Sequence, residues 1–143
     1  MKIIFYLLLL STSYSLKSMI SETSYIVYED LNRTDAIVTA KITHDKQITG
    51  SILYCPYLDS KVGKIIKLEI NEEDQGKGYG TLLMQHALKR LINDYHCTEV
   101  TLIAIPEEPS RLSDLIRFYE RMGGKVVSKT NTAAEFQFTP KYK

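Results

Sequence analysis

The sequence predicts a single α+β domain in which a mixed sheet packs against helices. Several short segments alternate apolar and polar residues, which is typical of strands that bury one face. Two longer segments repeat apolar residues every three or four positions, which indicates amphipathic helices. The length of 143 residues suits one domain with a hydrophobic core of its own.

The first half of the chain predicts four strands. Residues 25–29 form a short candidate, and residues 36–42 alternate clearly as far as the turn His44-Asp45-Lys46. Residues 48–54 would pair with the preceding strand as a hairpin, which Pro56 ends or leaves at a sheet edge. Residues 64–70 are rich in Ile and Leu and therefore predict a largely buried strand.

The second half predicts two helices and three strands. Apolar residues recur every fourth position from Leu83 to Tyr95, and residues 100–105 predict a strand that ends before Pro106. Residues 112–122 predict the second helix, which Ser113 or Ser110 would cap. Gly123 would end it as a left-handed cap. Residues 125–128 and 135–138 predict a final hairpin.

A glycine-rich turn between the strand at 64–70 and the first helix is the most informative segment. Its backbone N–H groups would converge at the positive end of the helix dipole, a position that attracts phosphate. Glycines keep side chains away from a diphosphate there, and a lysine adds a cation. The alternative is an ordinary turn without a ligand. The candidate binding residues are Gln75, Gly76, Lys77, Gly78, Tyr79, Gly80 and Thr81.

Two common phosphate motifs do not fit this turn. The P-loop spacing does not occur, and Thr81 stands where a dinucleotide-binding turn needs its third glycine. The turn instead fills the pattern Gln/Arg-x-x-Gly-x-Gly/Ala, and in this it resembles the GNAT superfamily of acyl-CoA-dependent N-acetyltransferases. The resemblance implies that residues 75–81 bind the pyrophosphate of coenzyme A. It also implies that the backbone of Leu68, Glu69 and Ile70 pairs with the pantetheine amides.

A second segment in the expected order, residues 118–124, resembles the family's helix-end motif. By that resemblance, Tyr119 would protonate the departing thiolate as a general acid. The alternative is a core tyrosine, because Tyr119 also lies on the apolar stripe of the predicted helix. Gly124 departs from the family pattern, which has an aromatic residue at this position.

The resemblance implies an N-acetyltransferase that passes an acetyl group from acetyl-CoA directly to an acceptor amine. Glu69 is the nearest candidate base by strand position, and the alternative is that it is a surface residue. The implied fold is a central mixed, mostly antiparallel sheet with helices on its faces. Only residues 30–35 separate the first two predicted strands, so the family's first two helices are absent or shortened, unless residues 7–19 supply helical material.

An acceptor side without those helices would be open, which favours a peptide or protein amine. A neighbouring subunit of a homodimer could close it instead. A non-catalytic acyl-CoA-binding domain is the second hypothesis, and a plain interaction domain is the third.

Composition restricts the remaining functions. The net charge of +1 gives no electrostatic reason to expect binding to nucleic acid or to an anionic membrane. His44, His86 and His96 lack metal-ligand spacing, so no metal is expected. Cys55 and Cys97 are too few for a disulfide framework and are expected to be free.

The N-terminus resembles a secretory signal peptide. Met1 and Lys2 precede an apolar run at residues 3–10, which is too short to span a membrane, and small residues follow. We therefore expect a leader at residues 1–18 and the acetyltransferase domain at residues 19–143. The alternative is that translation starts at Met19 and that the protein stays in the cytoplasm with acetyl-CoA.

Overall fold

The computed structural model describes residues 3–6, 26–32 and 37–140 of the chain. These residues belong to two compact units. The first unit contains Met1–Leu53 and Lys67–His86, and the second contains Tyr54–Ile66 and Ala87–Lys143.

The first unit is built from strands that pair in the order β1-β2-β3-β4-β5. The antiparallel pairs β1–β2 and β2–β3 place Glu29 opposite Ala40. A 3₁₀ turn, Glu72–Asp74, and the first helix, α1, follow β5. The strands are β1 (Ile3–Tyr6), β2 (Ile26–Asn32), β3 (Ile37–His44), the beginning of β4 (Gln47–Tyr57) and the end of β5 (Val62–Ile70), and α1 spans Tyr79–Lys89.

The core of the first unit follows from the alternation that the sequence shows. Val38, Ala40 and Ile42 of β3 are fully buried, as is Ile52 of β4. Leu83 and Met84 of α1 are also fully buried. The core therefore consists of apolar residues that recur at every second position in the strands and at about every fourth position in the helix.

The second unit carries the strand order β5-β6-β8-β7. β5 and β6 pair in parallel from Val62 with Glu99 to Ile65 with Leu102, whereas β8 is antiparallel to both β6 and β7. Its further elements are a π-helical turn (Arg90–Asp94), β6 (Glu99–Ala104), a 3₁₀ turn (Pro109–Arg111), α2 (Leu112–Arg121), β7 (Lys125–Lys129) and β8 (Ala134–Phe138).

The predicted α+β class is confirmed, and a few element boundaries differ from the prediction. The strand predicted at 25–29 is β2, which runs to Asn32, and Tyr25 lies outside the described residues. β4 continues past Pro56 to Tyr57 instead of ending at Tyr54. Because β1 precedes it, the strand predicted as the first of the sheet is the second, and the interval between the first two strands is residues 7–25, which lie outside the described residues. The absence of the family's first two helices therefore stays a prediction.

The predicted serine cap of α2 is wrong. Arg111 occupies the N-cap position, and no side chain caps the helix there. The 3₁₀ turn at Pro109–Arg111 precedes α2, and its Arg111 N–H donates to the Glu108 carbonyl at 2.9 Å. The helix therefore begins as the continuation of a tighter turn.

The N-terminal segment contains a strand that the sequence did not predict. Ile3–Tyr6, within the proposed leader, forms β1 and pairs with β2. Residues 7–25 lie outside the described residues, so the idea that residues 7–19 supply helical material stays a prediction. The leader and its cleavage stay predictions as well. Among the described helices, none combines the length and the hydropathy that crossing a bilayer requires.

Candidate functional site

The glycine-rich turn lies in the first unit, between the 3₁₀ turn after β5 and the start of α1. Gly76 and Gly78 have φ angles of +77° and +88°, a left-handed conformation that other residues rarely adopt. A Cβ atom added at either glycine would have no atom of the described residues within 4 Å. The backbone conformation therefore requires glycine here, and the space in front of it is open.

The backbone N–H groups of this turn are the main feature of the candidate site. Within the described residues, no backbone carbonyl accepts a hydrogen bond from the N–H groups of residues 76–81. The first helical bond is from the Leu82 N–H to the Gly78 carbonyl, at 3.2 Å. Consecutive free N–H groups at the positive end of an 11-residue helix are suited to an anion such as phosphate.

Hydrogen bonds attach the turn to the beginning of β4 and to the end of β5. The Gln75 side-chain amide donates to the Ile70 carbonyl at 3.2 Å. Asn71 donates from its side chain to the Ile48 carbonyl at 2.8 Å and from its backbone to the Thr49 carbonyl at 2.9 Å. The side chain of Gln75, predicted as a binding residue, therefore positions the turn, while its glycines remain open.

Two further predicted residues of the turn have different surroundings. The Lys77 ammonium lies 3.3 Å from the Asp74 carboxylate, and its side chain is 56% exposed. The Tyr79 side chain is buried, and burial, followed by the nearby Asp74 carboxylate, raises its pKa. Tyr79 is therefore a buried anchor for the start of α1, whereas Lys77 is an exposed cation that is paired with Asp74.

His44, at the end of β3, lies beside this anchor. Its ring centroid is 6.3 Å from that of Tyr79. The Nε2 atom of His44 is buried and has no hydrogen-bond partner among the described residues. No local sequence pattern indicates this contact, because 35 positions separate the two residues.

The end of β5 carries the other binding residues predicted in this unit. Parallel pairing with β6 ends at Ile65, and β5 continues for five more residues to Ile70. Leu68 and Ile70 are half-buried, whereas Glu69 is exposed and forms an ion pair with Lys67. The structure therefore brings Leu68, Glu69 and Ile70 together with the glycine-rich turn.

The predicted acid, Tyr119, lies in the second unit on α2. Its ring is buried, with its centroid 5.0 Å from that of Phe118 and 5.3 Å from that of Phe136. Burial raises the pKa of Tyr119 above the usual tyrosine value. No described residue forms a hydrogen bond with its hydroxyl group. The phenol is therefore protonated at neutral pH and can donate a proton to a ligand.

The end of α2 explains the departure from the family's helix-end motif. Gly123 has a φ of +94°, which confirms the predicted left-handed cap. A Cβ atom at Gly124 would lie 2.7 Å from Cζ of Phe138 and 2.9 Å from the Tyr119 carbonyl oxygen. The Phe138 ring of β8 therefore occupies the space beside Gly124, and a larger residue does not fit.

A polar pair in the first unit was missed by the sequence analysis. His86 Nε2 of α1 lies 2.7 Å from the Glu29 carboxylate of β2, and Glu29 is only 1% exposed. A lone polar residue on an apolar helix face and another in a strand were the available signals. Across residues 3–6, 26–32 and 37–140, no three potential ligand side chains are grouped as a metal site would require.

Two sequence comparisons match this chain to known proteins. A family model described as the acetyltransferase (GNAT) family matches residues 6–124. The histone acetyltransferase GCN5 of Oryza sativa subsp. japonica is 37% identical over 62 residues, which are 43% of this chain. That match covers 12% of the plant protein, so this chain spans a small part of it.

Two solved structures share the fold. An IAA acetyltransferase from Bacillus cereus has a TM-score of 0.68 at 12% identity, covering 82% of this chain and 100% of that chain. The PaiA N-acetyltransferase from Thermoplasma acidophilum, in complex with coenzyme A, has a TM-score of 0.62 at 18% identity. That match covers 73% of this chain and 62% of the other.

Proposed function

The chain belongs to the acetyltransferase (GNAT) family, and on that premise we propose that it transfers the acetyl group of acetyl-CoA directly to an acceptor amine. The observation that carries the proposal is the row of backbone N–H groups at residues 76–81, for which the described residues supply no backbone acceptor. A diphosphate supplies several acceptor oxygens and the negative charge that a helix N-terminus favours.

The proposed position of the cofactor follows from the two features of the first unit. The diphosphate of coenzyme A would accept hydrogen bonds from the turn at residues 76–81. The pantetheine amides would pair with the backbone of Leu68, Glu69 and Ile70, in the part of β5 beyond its pairing with β6. The related PaiA structure, which contains coenzyme A, supports this cofactor class.

The proposed reaction is a direct acyl transfer without an acyl-enzyme. The lone pair of a neutral acceptor amine attacks the thioester carbonyl carbon, the C–N bond forms and the C–S bond breaks. Tyr119 gives its proton to the departing thiolate, and the amine loses a proton to a base. The raised pKa of Tyr119 and its hydroxyl group, without a partner among the described residues, support this role.

We propose Glu69 as the base that accepts the proton of the amine. Its carboxylate is exposed and already paired with Lys67, which suits a surface residue as well as a base. A Glu69→Gln variant separates the two roles. A base predicts a lower kcat and an altered pH profile, whereas a surface residue predicts that both stay unchanged.

For the acceptor, we propose a peptide or protein amine. The local similarity to a plant histone acetyltransferase is consistent with a protein substrate, although it covers less than half of this chain.

The test combines binding with turnover. Isothermal titration calorimetry should detect coenzyme A and acetyl-CoA binding to the purified full chain. A thiol-release assay with N-terminal peptides, lysine peptides, polyamines and aminoglycosides should show turnover with peptides. No binding at millimolar coenzyme A would refute the proposed function, and turnover confined to a small amine would refute the proposed acceptor.

A non-catalytic acyl-CoA-binding domain is the second candidate. Gly124, where the family's helix-end motif has an aromatic residue, favours it, because the Phe138 ring occupies the space beside this position. It predicts coenzyme A binding by calorimetry together with no thiol release for any amine in the panel.

A further inference from the structure

The Glu29–His86 pair connects β2 of the first unit to the helix that begins at the glycine-rich turn. Glu29 lies on β2 opposite Ala40 of β3, and Ala40 is fully buried. The Glu29 carboxylate accepts a hydrogen bond from His86 Nε2 at 2.7 Å.

Both members of the pair are withdrawn from water. Glu29 is 1% exposed, and the His86 side chain is 10% exposed. A carboxylate in such a place is costly unless hydrogen bonds satisfy it, so Glu29 strongly disfavours any helix position that removes His86. The pair therefore favours one position of α1 on the strands of this unit.

The other buried side chains of α1 have no such directional contact in the part of this unit that the structure describes. Leu82, Leu83 and Met84 are buried apolar residues. Apolar burial depends on area and only weakly on direction, so a helix held by it alone can shift along its axis at small cost. A hydrogen bond loses strength over a few tenths of an ångström and with modest changes in angle. His86 is thus the residue of α1 that fixes its axial position.

The position of α1 matters because its first residues are part of the proposed diphosphate site. His86 is seven residues after Tyr79, which is about 10 Å along the helix at the usual rise. Any axial shift at His86 is transmitted along the rigid helix to the N–H groups of residues 79–81. Binding sites need their groups held to within about 0.5 Å of the productive geometry.

We propose that Glu29 and His86 are positioning residues, which hold α1 where the N–H groups at its start meet the diphosphate of coenzyme A. This inference rests on the proposed function for the identity of the ligand. The pair touches neither the cofactor nor the reacting atoms in this scheme, so its effect is on affinity and not on the chemical step.

The decisive variant is the double substitution Glu29→Leu/His86→Leu. Replacing a buried polar pair by apolar residues of similar size often preserves stability, so this variant should keep its melting temperature while losing the directional bond. We expect its coenzyme A affinity, measured by calorimetry, to fall about tenfold or more, with kcat at saturating acetyl-CoA unchanged. Wild-type affinity in a folded double variant would overturn the proposal.

A control variant separates lost stability from lost positioning, and a second test variant is available if the double variant does not fold. Ile52→Ala on β4 removes a fully buried side chain of the same unit and should lower the melting temperature without changing affinity. If the double variant does not fold, Glu29→Asp retains the charge but shortens the side chain, and it should weaken coenzyme A binding at least threefold. Unchanged affinity in Glu29→Asp would then contradict the proposal.

A further measurement separates this inference from the proposed function. NMR amide shifts of residues 76–81 in the ligand-free protein should move in the double variant and stay unchanged in Ile52→Ala. If wild-type protein binds no coenzyme A, the proposed function is wrong, and the amide shifts still decide whether the pair positions α1. Unmoved shifts would refute the positioning role.

Discussion

Glycines in the left-handed conformation occur at the start of α1 and at the end of α2, and the two turns differ in the partners of their N–H groups. At the end of α2, the Gly123 N–H donates to the Glu120 carbonyl and the Gly124 N–H to the Tyr119 carbonyl, each at 3.0 Å. At the start of α1, the N–H groups of residues 76–81 have no such acceptor among the described residues.

This difference shows that glycine alone does not mark a binding turn. Gly78 and Gly123 have φ angles of +88° and +94°, and an added Cβ atom meets nothing within 4 Å at either position. The cap at α2 satisfies its own backbone and needs no ligand. The turn at α1 leaves hydrogen-bond donors for a partner from outside the chain.

The largest expected effect comes from placing the same side chain in both turns. Gly78→Glu should abolish coenzyme A binding, because a side chain blocks the approach to the N–H groups and a carboxylate repels the diphosphate. Gly123→Glu should keep wild-type affinity. Each variant should lose about 1–2 kcal/mol of stability from the left-handed conformation. Calorimetric titration and thermal unfolding measure the two effects, and equal affinity in both variants would contradict the assignment of the turn.

The next largest effect is expected from a substitution of Tyr119, which lies on α2 before the turn at Gly123. Tyr119→Phe removes only the hydroxyl group, so kcat should fall about 10²-fold while acetyl-CoA affinity and melting temperature change little. Tyr57→Phe is the control, since Tyr57 lies in the same unit and is half exposed. Steady-state kinetics and calorimetry provide the measurements. Equal kcat values in the two variants would favour a core role for Tyr119.

The pH profile tests the same residue without a mutation. Burial raises the pKa of Tyr119, and its donating form is the neutral phenol. The acid is therefore competent at all pH values below its raised pKa, and kcat should decline only as the pH rises above the ordinary tyrosine value of about 10. The stability that comes from burying the neutral ring is lost over the same alkaline range. A decline in kcat that begins near pH 8 would point to a different acid.

The contrast between the two turns also shows what the sequence could predict. The turn at residues 75–81 is a contiguous pattern between a strand and a helix, so its position and its left-handed glycines follow from local rules. The Glu29–His86 pair joins positions 57 apart, and no local pattern reports such a contact. The fold class was accessible because alternating and helical periods are local signals as well.

Competing local signals account for the errors in the prediction. Ser110 and Ser113 are good capping residues, but Pro109 starts a 3₁₀ turn that leads into α2 without a side-chain cap. The apolar residues of β1 suit a strand and a secretory leader equally well, because both need a short apolar run.

A smaller effect is expected from Gly124→Ala. The added methyl group would lie 2.7 Å from the Phe138 ring and 2.9 Å from the Tyr119 carbonyl oxygen, so the end of α2 or the ring must move. Overpacking of this kind costs about 1–3 kcal/mol, and thermal unfolding should show the loss. Gly76→Ala in the open turn has no such contact and should lose only the conformational contribution, about 1–2 kcal/mol. A stable Gly124→Ala variant would refute the tight packing at the end of α2.

The smallest effect should come from Lys77, the cation of the open turn. Its side chain is 56% exposed and pairs with Asp74, so water and salt screen its attraction to a diphosphate. Lys77→Met should weaken coenzyme A binding about threefold at low ionic strength, and the difference should vanish near 1 M salt, where the screening length is about 3 Å. Arg117→Met removes one positive charge and one exposed ion pair from α2, and it should leave binding unchanged. An equal loss in both variants would assign the effect to net charge, whereas a loss that persists in high salt would show that Lys77 makes a close contact with the ligand.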